Sequence, residues 1–396
     1  MGGGIIMPGK LAIQAAETAA ERKAYIHFMW EVYKGDPYWV PPLISERMEF
    51  LDPEKHPFHQ HAKVRYFTAQ RDGKIVGTIA GIINYNHNAY WNDKVGFFGL
   101  FEVLKDEEAA HALLAAAEDF VRSEGMDTLR GPMNFSTNEE CGLLVDGWNG
   151  PPVAMLTYNP RYYADFIESA GFVKAQDLYA FLSDVSNIQP DGTGLNPKVL
   201  RVAQKARNRI EGFTLRPINM RNFEQDALLF KRLYNAAWAK NWGFVPLTDA
   251  ELAHEVGALK PIIDPPTVLF AEKDGQGIGA SLPLPDVNQA LHRAYPRPGV
   301  PDWWSLAKMF YWWKVRKCVT TLRAFAGGFI EEYRGRGLDA ILALEDLKIA
   351  LRRGYTHIEF SWVLETNIPM RQTATNLHGQ IYRTYRIYDK AVDGGQ

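Results

Sequence analysis

The stretch Glu331-Glu332-Tyr333-Arg334-Gly335-Arg336-Gly337-Leu338-Asp339 joins an apolar run to a segment with helical periodicity. A strand, a glycine-rich turn and a helix in this order let consecutive backbone N–H groups point at one anion. The helix N-terminus adds the positive end of its dipole, and Arg334 and Arg336 add full charges. Glycine suits such a turn because a Cβ would block the approach of the backbone to a phosphate. The stretch therefore predicts a pyrophosphate cradle.

An internal repeat surrounds this stretch. Adding 229 to positions 102, 125 and 138 gives 331, 354 and 367, and both sets read Glu, Gly and Asn. In both halves the anchors enclose an apolar run, a segment of helical periodicity that stops at the glycine, and a further apolar run. Upstream, Asp72-Gly73 and Asp274-Gly275 predict hairpins that are only 202 residues apart. The increase in offset from 202 to 229 predicts an insertion of 27 residues in the second half, between the hairpin and the strand that ends near Glu331. The sequence predicts a duplicated, mixed α/β domain.

The predicted organisation follows this repeat. We expect a first domain at 1–185, a linker with a connecting helix at 186–210 and a second domain at 211–396. The predicted strands are 95–103, 128–135 and 175–182 in the first half, and 324–332, 357–363 and 380–388 in the second. The predicted helices are 107–124, 160–170, 197–211, 338–353 and 369–377.

Composition narrows the function classes. The chain has 44 basic and 46 acidic side chains and a formal net charge of −2, so it lacks the basic surplus of a generic nucleic-acid binder. Two cysteines, Cys141 and Cys318, cannot form a disulfide framework. No apolar run reaches the length of a membrane span, and the N-terminus does not read as a signal peptide, so we expect a soluble, cytoplasmic protein. The histidines of 56–61 lack partners at ligand spacing, so no metal site is expected.

The turn and the element order resemble the GCN5-related N-acetyltransferase (GNAT) family, whose acyl-CoA loop reads Arg/Gln-x-x-Gly-x-Gly/Ala. Arg334 and Gly337 fit the first and fourth positions, whereas Asp339 replaces the last Gly or Ala and can serve as an acid in the first helical turn. The resemblance covers nearly the whole chain and implies an α/β fold of two tandem GNAT-like domains with mixed sheets. In the first half, three acids in 105–108 replace the cradle. We therefore expect one cofactor site, in the second half, and a degenerate first domain that shapes the acceptor pocket or buttresses the interface.

The resemblance also implies the cofactor and its contacts. The cofactor is acetyl-CoA or a longer acyl-CoA, used as a co-substrate without a metal. Asn367 is expected near the pantetheine arm, although a helix N-cap before Pro369 explains it equally well. The other expected cofactor contacts are Phe329, Ile330, Arg334, Gly335, Arg336, Gly337, Leu338 and Asp339.

Catalytic residues are predicted by the same resemblance. Glu331, at the end of the cofactor strand, and Glu365, after the next strand, are the candidate bases. The tyrosine that the family often uses as general acid on its last helix is missing. His378 and Tyr382 are substitutes by proximity only. Neither cysteine lies in an obvious Cys-His arrangement, in agreement with direct transfer without a covalent intermediate.

The insertion contains the aromatic and basic segment 302–317. At helical spacing, Trp303, Ala307, Phe310 and Trp313 share a stripe. One interpretation is a helix that covers the cleft between the halves. The other is an interfacial helix, or the wall of an acyl or lipid pocket, because Trp with Lys and Arg favours bilayer interfaces.

The leading functional hypothesis is transfer of an acyl group from acyl-CoA to a primary amine, with a hydrophobic or lipid-like acceptor and peripheral membrane contact through 302–317. One alternative is a non-catalytic CoA-binding module. Another is a tandem transferase that uses aminoacyl-tRNA, which the lack of a basic surplus disfavours.

Overall fold

The computed structural model describes residues 9–392. The chain forms two compact units, each assembled from separate stretches. Unit 1 contains the described residues up to Asp177, then Asn288–Trp312 and the residues from Thr384 onward, and unit 2 contains Leu178–Val287 and Trp313–Arg383. The sequence-based domain boundaries at 185 and 210 stay a prediction.

Strands and helices are numbered along the chain. Unit 1 holds β1 (Leu11–Ala15), α1 (Ala19–His27), α2 (Met29–Val32), α3 (Ile44–Phe50), β2 (Ala62–Arg71), β3 (Lys74–Asn84), α4 (Tyr85–Trp91), β4 (Val95–Val103), α5 (Glu107–Ser123), β5 (Thr128–Gly131), β6 (Leu143–Asp146), α6 (Tyr162–Ser169), α10 (Asn288–Ala294) and α11 (Asp302–Phe310). Unit 2 holds α7 (Pro197–Arg207), β8 (Phe213–Pro217), α8 (Phe223–Trp238), α9 (Asp249–Leu259), β9 (Leu269–Lys273), β10 (Gln276–Pro285), β11 (Thr321–Phe329), α12 (Leu338–Arg352), β12 (His357–Leu364) and α13 (Ile368–Asn376). Both units contribute residues to β7 (Val173–Asp184) and β13 (Gln380–Ala391). Short 3-10 turns lie at Pro57–Gln60, Met220–Asn222, Pro265–Thr267 and Glu331–Tyr333, and a π-helical turn at Tyr311–Val315.

The sheet of unit 1 has the order β1-β2-β3-β4-β5-β13, and β6 also pairs with β13. The pair β4–β5 is parallel, but only over Val95–Phe97 and Thr128–Arg130. Helix α5 packs on β2, β3 and β4 through a buried face with the predicted helical spacing: Ala110, Leu113, Leu114, Ala117 and Val121. The parallel ladder ends at Phe97 and Arg130, and beyond it the Met133 N–H still donates to the Phe98 carbonyl oxygen at 2.7 Å.

The sheet of unit 2 has the order β7-β12-β11-β10-β9-β8. Its parallel pair, β11–β12, is paired over Thr321–Ala324 and His357–Phe360. Helix α12 buries the apolar face that the sequence predicts, namely Leu338, Ile341, Leu342, Leu344 and Leu347. In each unit, a helix joins the two strands of the parallel pair, α5 between β4 and β5 and α12 between β11 and β12.

Several local predictions are confirmed. Both Asp-Gly hairpins form, and Asp72 (φ +48°), Gly73 (+79°), Asp274 (+51°) and Gly275 (+78°) adopt the left-handed conformation that such turns require. Strand β4 and helix α5 lie at the predicted positions within one residue, and the connecting helix forms as α7. Strand β5 is shorter than predicted and ends at Gly131, because the following Pro132 has no N–H to donate to a ladder.

The insertion corresponds in part to α10 and α11, which belong to unit 1. The Asp302 Oδ2 atom accepts a hydrogen bond from the Ser45 N–H at 2.6 Å, and the Asn288 side chain donates to the Pro152 carbonyl oxygen at 3.1 Å. On α11 the buried residues are Ser305 and Met309. Of the four residues in the predicted stripe, Trp303, Ala307 and Phe310 are exposed and Trp313 is buried. Both interpretations of the stripe stay predictions.

Candidate functional site

The predicted cradle forms a turn at the start of α12. Gly335 (φ +68°) and Gly337 (φ +82°) take left-handed conformations, and Gly337 caps α12 without a side-chain hydrogen bond. The first N–H groups of an α-helix have no acceptor within the helix, so this terminus can bind an anion. A Cβ on Gly337 would lie 3.2 Å from atoms of Val202 and Ala206 on α7, which packs against the same helix start. Glycine is thus required here both by conformation and by space.

The guanidinium of Arg334 holds this turn in place. Its Nε donates to the Phe329 carbonyl oxygen at 3.0 Å, and its Nη2 donates to the carbonyl oxygen of Ala237 at the end of α8. Arg336 is exposed, and its guanidinium carbon lies 5.2 Å from the centre of the Tyr333 ring. Arg334 therefore positions the turn, and Arg336 offers its charge to solvent next to the helix start.

An aromatic wall lies beside the last residues of β11. Phe230, Tyr234 and Trp238, spaced four residues apart on α8, stack in sequence with ring centres 6.1 and 4.8 Å apart. A Cβ added to Gly328 would lie 3.5 Å from the Trp238 ring. The Trp238 ring therefore lies against the backbone of Gly328 and would be in van der Waals contact with a side chain there.

The two predicted bases lie in different surroundings. The side chain of Glu331 is 66% exposed, and one of its oxygens lies 2.6 Å from the Lys240 ammonium, whose hydrogen bond lowers the pKa of Glu331. A carboxylate stabilised in this way is a weak base. Glu365 follows β12, and its backbone carbonyl accepts a hydrogen bond from Arg371 at 2.9 Å.

The remaining predicted residues are dispersed. Phe329 is buried, and the Ile330 N–H donates to the Ile278 carbonyl oxygen at 3.0 Å. Asn367 caps α13 by accepting the Met370 N–H at 3.2 Å. This contact confirms the interpretation of Asn367 as a helix N-cap. The His378 ring lies 3.1 Å from the Gly194 carbonyl oxygen.

Tyr382 meets a buried carboxyl group that sequence reasoning missed. The Tyr382 hydroxyl is 3.5 Å from Oε1 of Glu359, whose Oε2 accepts the Ser361 hydroxyl hydrogen at 2.9 Å. The Arg323 Nε lies 3.7 Å from the same Oε2. Burial raises the pKa of Glu359 to about 7, because loss of hydration outweighs the attraction of Arg323. The available signal was an acid between Ile358 and Phe360 inside an apolar strand.

Unit 1 fills the equivalent helix start with its own carboxylate. Asp106 caps α5 by accepting the Ala109 N–H at 3.1 Å and pairs with Arg71 at 2.6 Å. This arrangement agrees with the expectation that the first half has no phosphate cradle. The residue that precedes this turn on β4, Glu102, accepts hydrogen bonds from tyrosine hydroxyls, and burial raises its pKa to about 8. In the sequence, Glu102 stands out only as an anchor of the internal repeat.

Two further features concern metals and membranes. Within the described part of the chain, no three His, Cys, Asp or Glu side chains are grouped as a metal site. His56 instead accepts the Phe58 N–H and packs against the rings of Phe50 and Phe135. Among residues 9–392, no helix has both the length and the apolarity needed to cross a bilayer.

Comparison with known sequences gives two relatives of nearly the full length. The chain is 34% identical over 386 residues to the bacterial ceramide synthase of Caulobacter vibrioides, covering 96% of this chain and 98% of the relative. It is 31% identical over 374 residues to protein YghO of Escherichia coli, covering 93% of each chain. No family model matches the sequence.

Solved structures agree on the fold. A tandem GNAT protein from the clavulanic acid biosynthesis pathway superposes with a TM-score of 0.57 at 14% identity, over 98% of this chain and all of the other. A GCN5-related N-acetyltransferase from Sphaerobacter thermophilus gives a TM-score of 0.52 at 14% identity, over 98% of both chains. The predicted α/β class and the GNAT resemblance are confirmed. The chain is an N-acyltransferase and belongs to the family of tandem GNAT-fold proteins that includes bacterial ceramide synthase and YghO.

Proposed function

We propose that this protein transfers a fatty acyl group from acyl-CoA to the primary amine of a long-chain amino alcohol. The observation that carries the proposal is the glycine turn of Gly335 and Gly337, which follows β11 and starts α12. The name of the Caulobacter relative supports the acceptor class, because a ceramide is the amide of a fatty acid and a long-chain amino alcohol.

The proposed acyl-CoA site uses the backbone of 335–339 and the charge of Arg336 for the pyrophosphate. The pantetheine arm would follow Gly327 and Gly328 past Trp238. In the reaction, the neutral amine nitrogen attacks the thioester carbon, the C–S bond breaks, and the thiolate takes a proton. Tyr382 is the proposed donor of that proton, and Glu359 positions its hydroxyl.

Thiol release and mass spectrometry test this function. Purified protein is mixed with palmitoyl-CoA or acetyl-CoA and with either a long-chain 2-amino-1,3-diol or ethanolamine. We expect free CoA and an N-acylated product with the long-chain amine, and Arg336→Glu should raise the KM for acyl-CoA. Arg352→Glu, an equal charge reversal at the other end of α12, is the matched control. The proposal is refuted if acyl-CoA binds but no long-chain amine releases thiol, which is the behaviour of a binding module.

The exposed face of α11 supports a lipid acceptor. Trp303 and Trp304 are 68% and 47% exposed, and Tyr311, just beyond the helix, is 49% exposed. The Lys308 ammonium lies 5.6 Å from the centre of the Trp304 ring. A helix that turns its aromatic side chains and a lysine outward is typical of a contact with an anionic membrane surface. We propose that α11 makes such a contact when the enzyme collects its acceptor.

Sedimentation with vesicles tests the contact. We expect binding to phosphatidylcholine vesicles that contain phosphatidylglycerol, and at least about a tenfold loss of binding in Trp303→Ser/Trp304→Ser, because two large aromatic side chains no longer enter the interface. Trp91→Ser removes an exposed Trp elsewhere in unit 1 and is the control. Equal loss in control and test variants, or a concentration-dependent dimer that uses this face, would contradict the membrane assignment.

A further inference from the structure

Helix α7 of unit 2 presents a row of cations to solvent. Lys198, Arg201 and Lys205 follow one another at spacings of three and four residues, and Arg209 comes four residues later, just beyond the helix. Side chains at these spacings lie on one face of a helix. All four residues are exposed. Residues 192–210 contain no Asp or Glu, so this set of four cations, the basic row, has no acid within its own segment.

Neighbouring elements do not neutralise the basic row. Among the residues that the structure describes, none forms an ion pair with any of its four side chains. The cation of α7 that does have a partner is Arg207, whose Nη2 lies 3.4 Å from Oε2 of Glu345 on α12. The carboxylate of Glu345 is already shared, because two cations of α12 itself lie 3.8 and 3.5 Å from it. The row thus holds four positive charges that a partner can bind.

The exposed face of α7 adjoins the glycine turn at the start of α12. The two helices pack together, and Ala203 and Ala206 of α7 belong to the same buried core as Leu338. A Cβ on Gly337 would lie 3.2 Å from the side chain of Val202, which is itself 38% exposed. A partner bound along the row therefore lies next to the helix start at which we expect the phosphates of the acyl donor.

The length and composition of the row favour one kind of partner. The 11 residues of α7 span about 16 Å at 1.5 Å per residue. With the pyrophosphate of CoA assigned to 335–339 and Arg336, a single ribose phosphate remains, and one phosphate cannot contact cations spread over this length. The row contains no aromatic side chain, unlike α11, so it lacks the apolar anchor of a helix that binds in a membrane surface. An acidic helix of another protein matches both its length and its charge.

We propose that the basic row docks an acidic carrier protein that presents the fatty acyl group as a thioester on a phosphopantetheine arm. The inference rests on the proposed N-acyl transfer and names a second form of its donor, because CoA ends in the same arm. In the transfer, the amide C–N bond forms, the thioester C–S bond breaks, and one proton of the amine ends on the released thiol. The carrier protein leaves with a free thiol.

Binding of a carrier protein tests this surface without turnover. The probe is a purified bacterial acyl carrier protein with a palmitoyl group on its phosphopantetheine arm, and fluorescence anisotropy measures its Kd. We expect binding to weaken as salt concentration rises, because exposed charges are screened. Lys198→Glu/Arg201→Glu should raise this Kd about tenfold or more and leave the Kd for palmitoyl-CoA unchanged within about twofold. Both substitutions lie in the first turns of α7, where acids suit the helix dipole, so the helix should still form.

A matched control makes the same change of charge elsewhere in unit 2. Arg221→Glu/Arg232→Glu reverses two exposed arginines outside α7 and should bind the carrier protein like the wild type. Equal weakening in both double variants overturns the docking surface, because net charge alone then acts. A comparable loss of palmitoyl-CoA binding in Lys198→Glu/Arg201→Glu also overturns it, and assigns the row to a phosphate of CoA. Tighter binding of transfer RNA or of phosphatidylglycerol vesicles than of the carrier protein through the same residues overturns it as well.

Activity assays separate this proposal from the proposed function. Mass spectrometry of the N-acylated product compares palmitoyl-CoA with the palmitoyl carrier protein as donor to a long-chain 2-amino-1,3-diol. We expect both donors to react, and only the second to be slowed by Lys198→Glu/Arg201→Glu. If palmitoyl-CoA donates its acyl group and the palmitoyl carrier protein does not, the proposed function stands and the carrier protein is not a donor. If the carrier protein binds through the basic row but neither donor acylates the amine, the transfer reaction fails and the docking surface stands.

Discussion

Stability as a function of pH gives a direct test of the state of Glu102. The pKa of this carboxyl group is raised from 4.5 to about 8 in the folded protein, so between these values the folded state holds a proton that the unfolded state has lost. The contribution of this group to stability is complete below pH 4.5 and is lost as pH rises through 8. At about 1.4 kcal/mol per pH unit, the wild type should lose about 4 kcal/mol between pH 5 and 8 through this group alone.

Glu102→Gln removes the titration and keeps a similar shape. The difference in unfolding free energy, variant minus wild type, should increase by about 4 kcal/mol from pH 5 to pH 8. Urea titrations at four pH values, read by tryptophan fluorescence and circular dichroism, measure it. Glu54→Gln alters an exposed carboxyl group and is the control for the substitution itself. A flat difference for Glu102→Gln would refute the reasoning, because the folded protein would then hold no proton there.

Three other perturbations follow from the same contacts. Asp346→Asn should become more stable relative to wild type as pH rises from about 4 to 7 in urea titrations, because burial raises the pKa of Asp346 to about 7. Phe135→Ala should cost about 3–5 kcal/mol in thermal unfolding, because it removes a fully buried ring that stacks on two others, and a cost below 1 kcal/mol would contradict that packing. Glu331→Gln should leave the pH profile of kcat/KM unchanged, since the exposed carboxylate is stabilised by Lys240. If kcat/KM of this variant no longer rises with pH as it does in the wild type, Glu331 is the base.

Local features of the fold could be predicted because local chemistry determines them. The Asp-Gly turns, strand β4 and helices α5 and α12 depend on φ preferences and on periodicity, both of which are present in the sequence. The partners of β7 and β13 depend on contacts distant in sequence. In unit 1, β5 pairs with residues from the end of the chain, Tyr388–Ala391, and in unit 2, β12 pairs with Leu178–Asp184 of β7. An alternating apolar pattern is the same whichever strand lies beside it.

The insertion shows a second limit of pattern reasoning. Periodicity identified a stripe of aromatic residues on α11, and the general rule assigned such a stripe to a core. The rule states only that apolar side chains avoid water. It cannot tell whether they do so inside the protein or at a surface outside it. On α11 the small Ser305 and the flexible Met309 face inward, while Trp303 and Trp304 face outward.

The two strand-end glutamates show why the candidate site was only half predictable. Glu102 and Glu331 occupy the same position in the internal repeat, yet one is surrounded by tyrosines and the other is exposed beside Lys240. A carboxyl group takes its pKa from its hydration and its neighbours, and Tyr33 and Tyr163 come from distant segments that the repeat does not identify. The phosphate turn could be predicted because its glycines, arginines and helix start are contiguous. The repeat that kept this turn has a strand-end acid of lowered pKa, and the repeat that lost it has one of raised pKa.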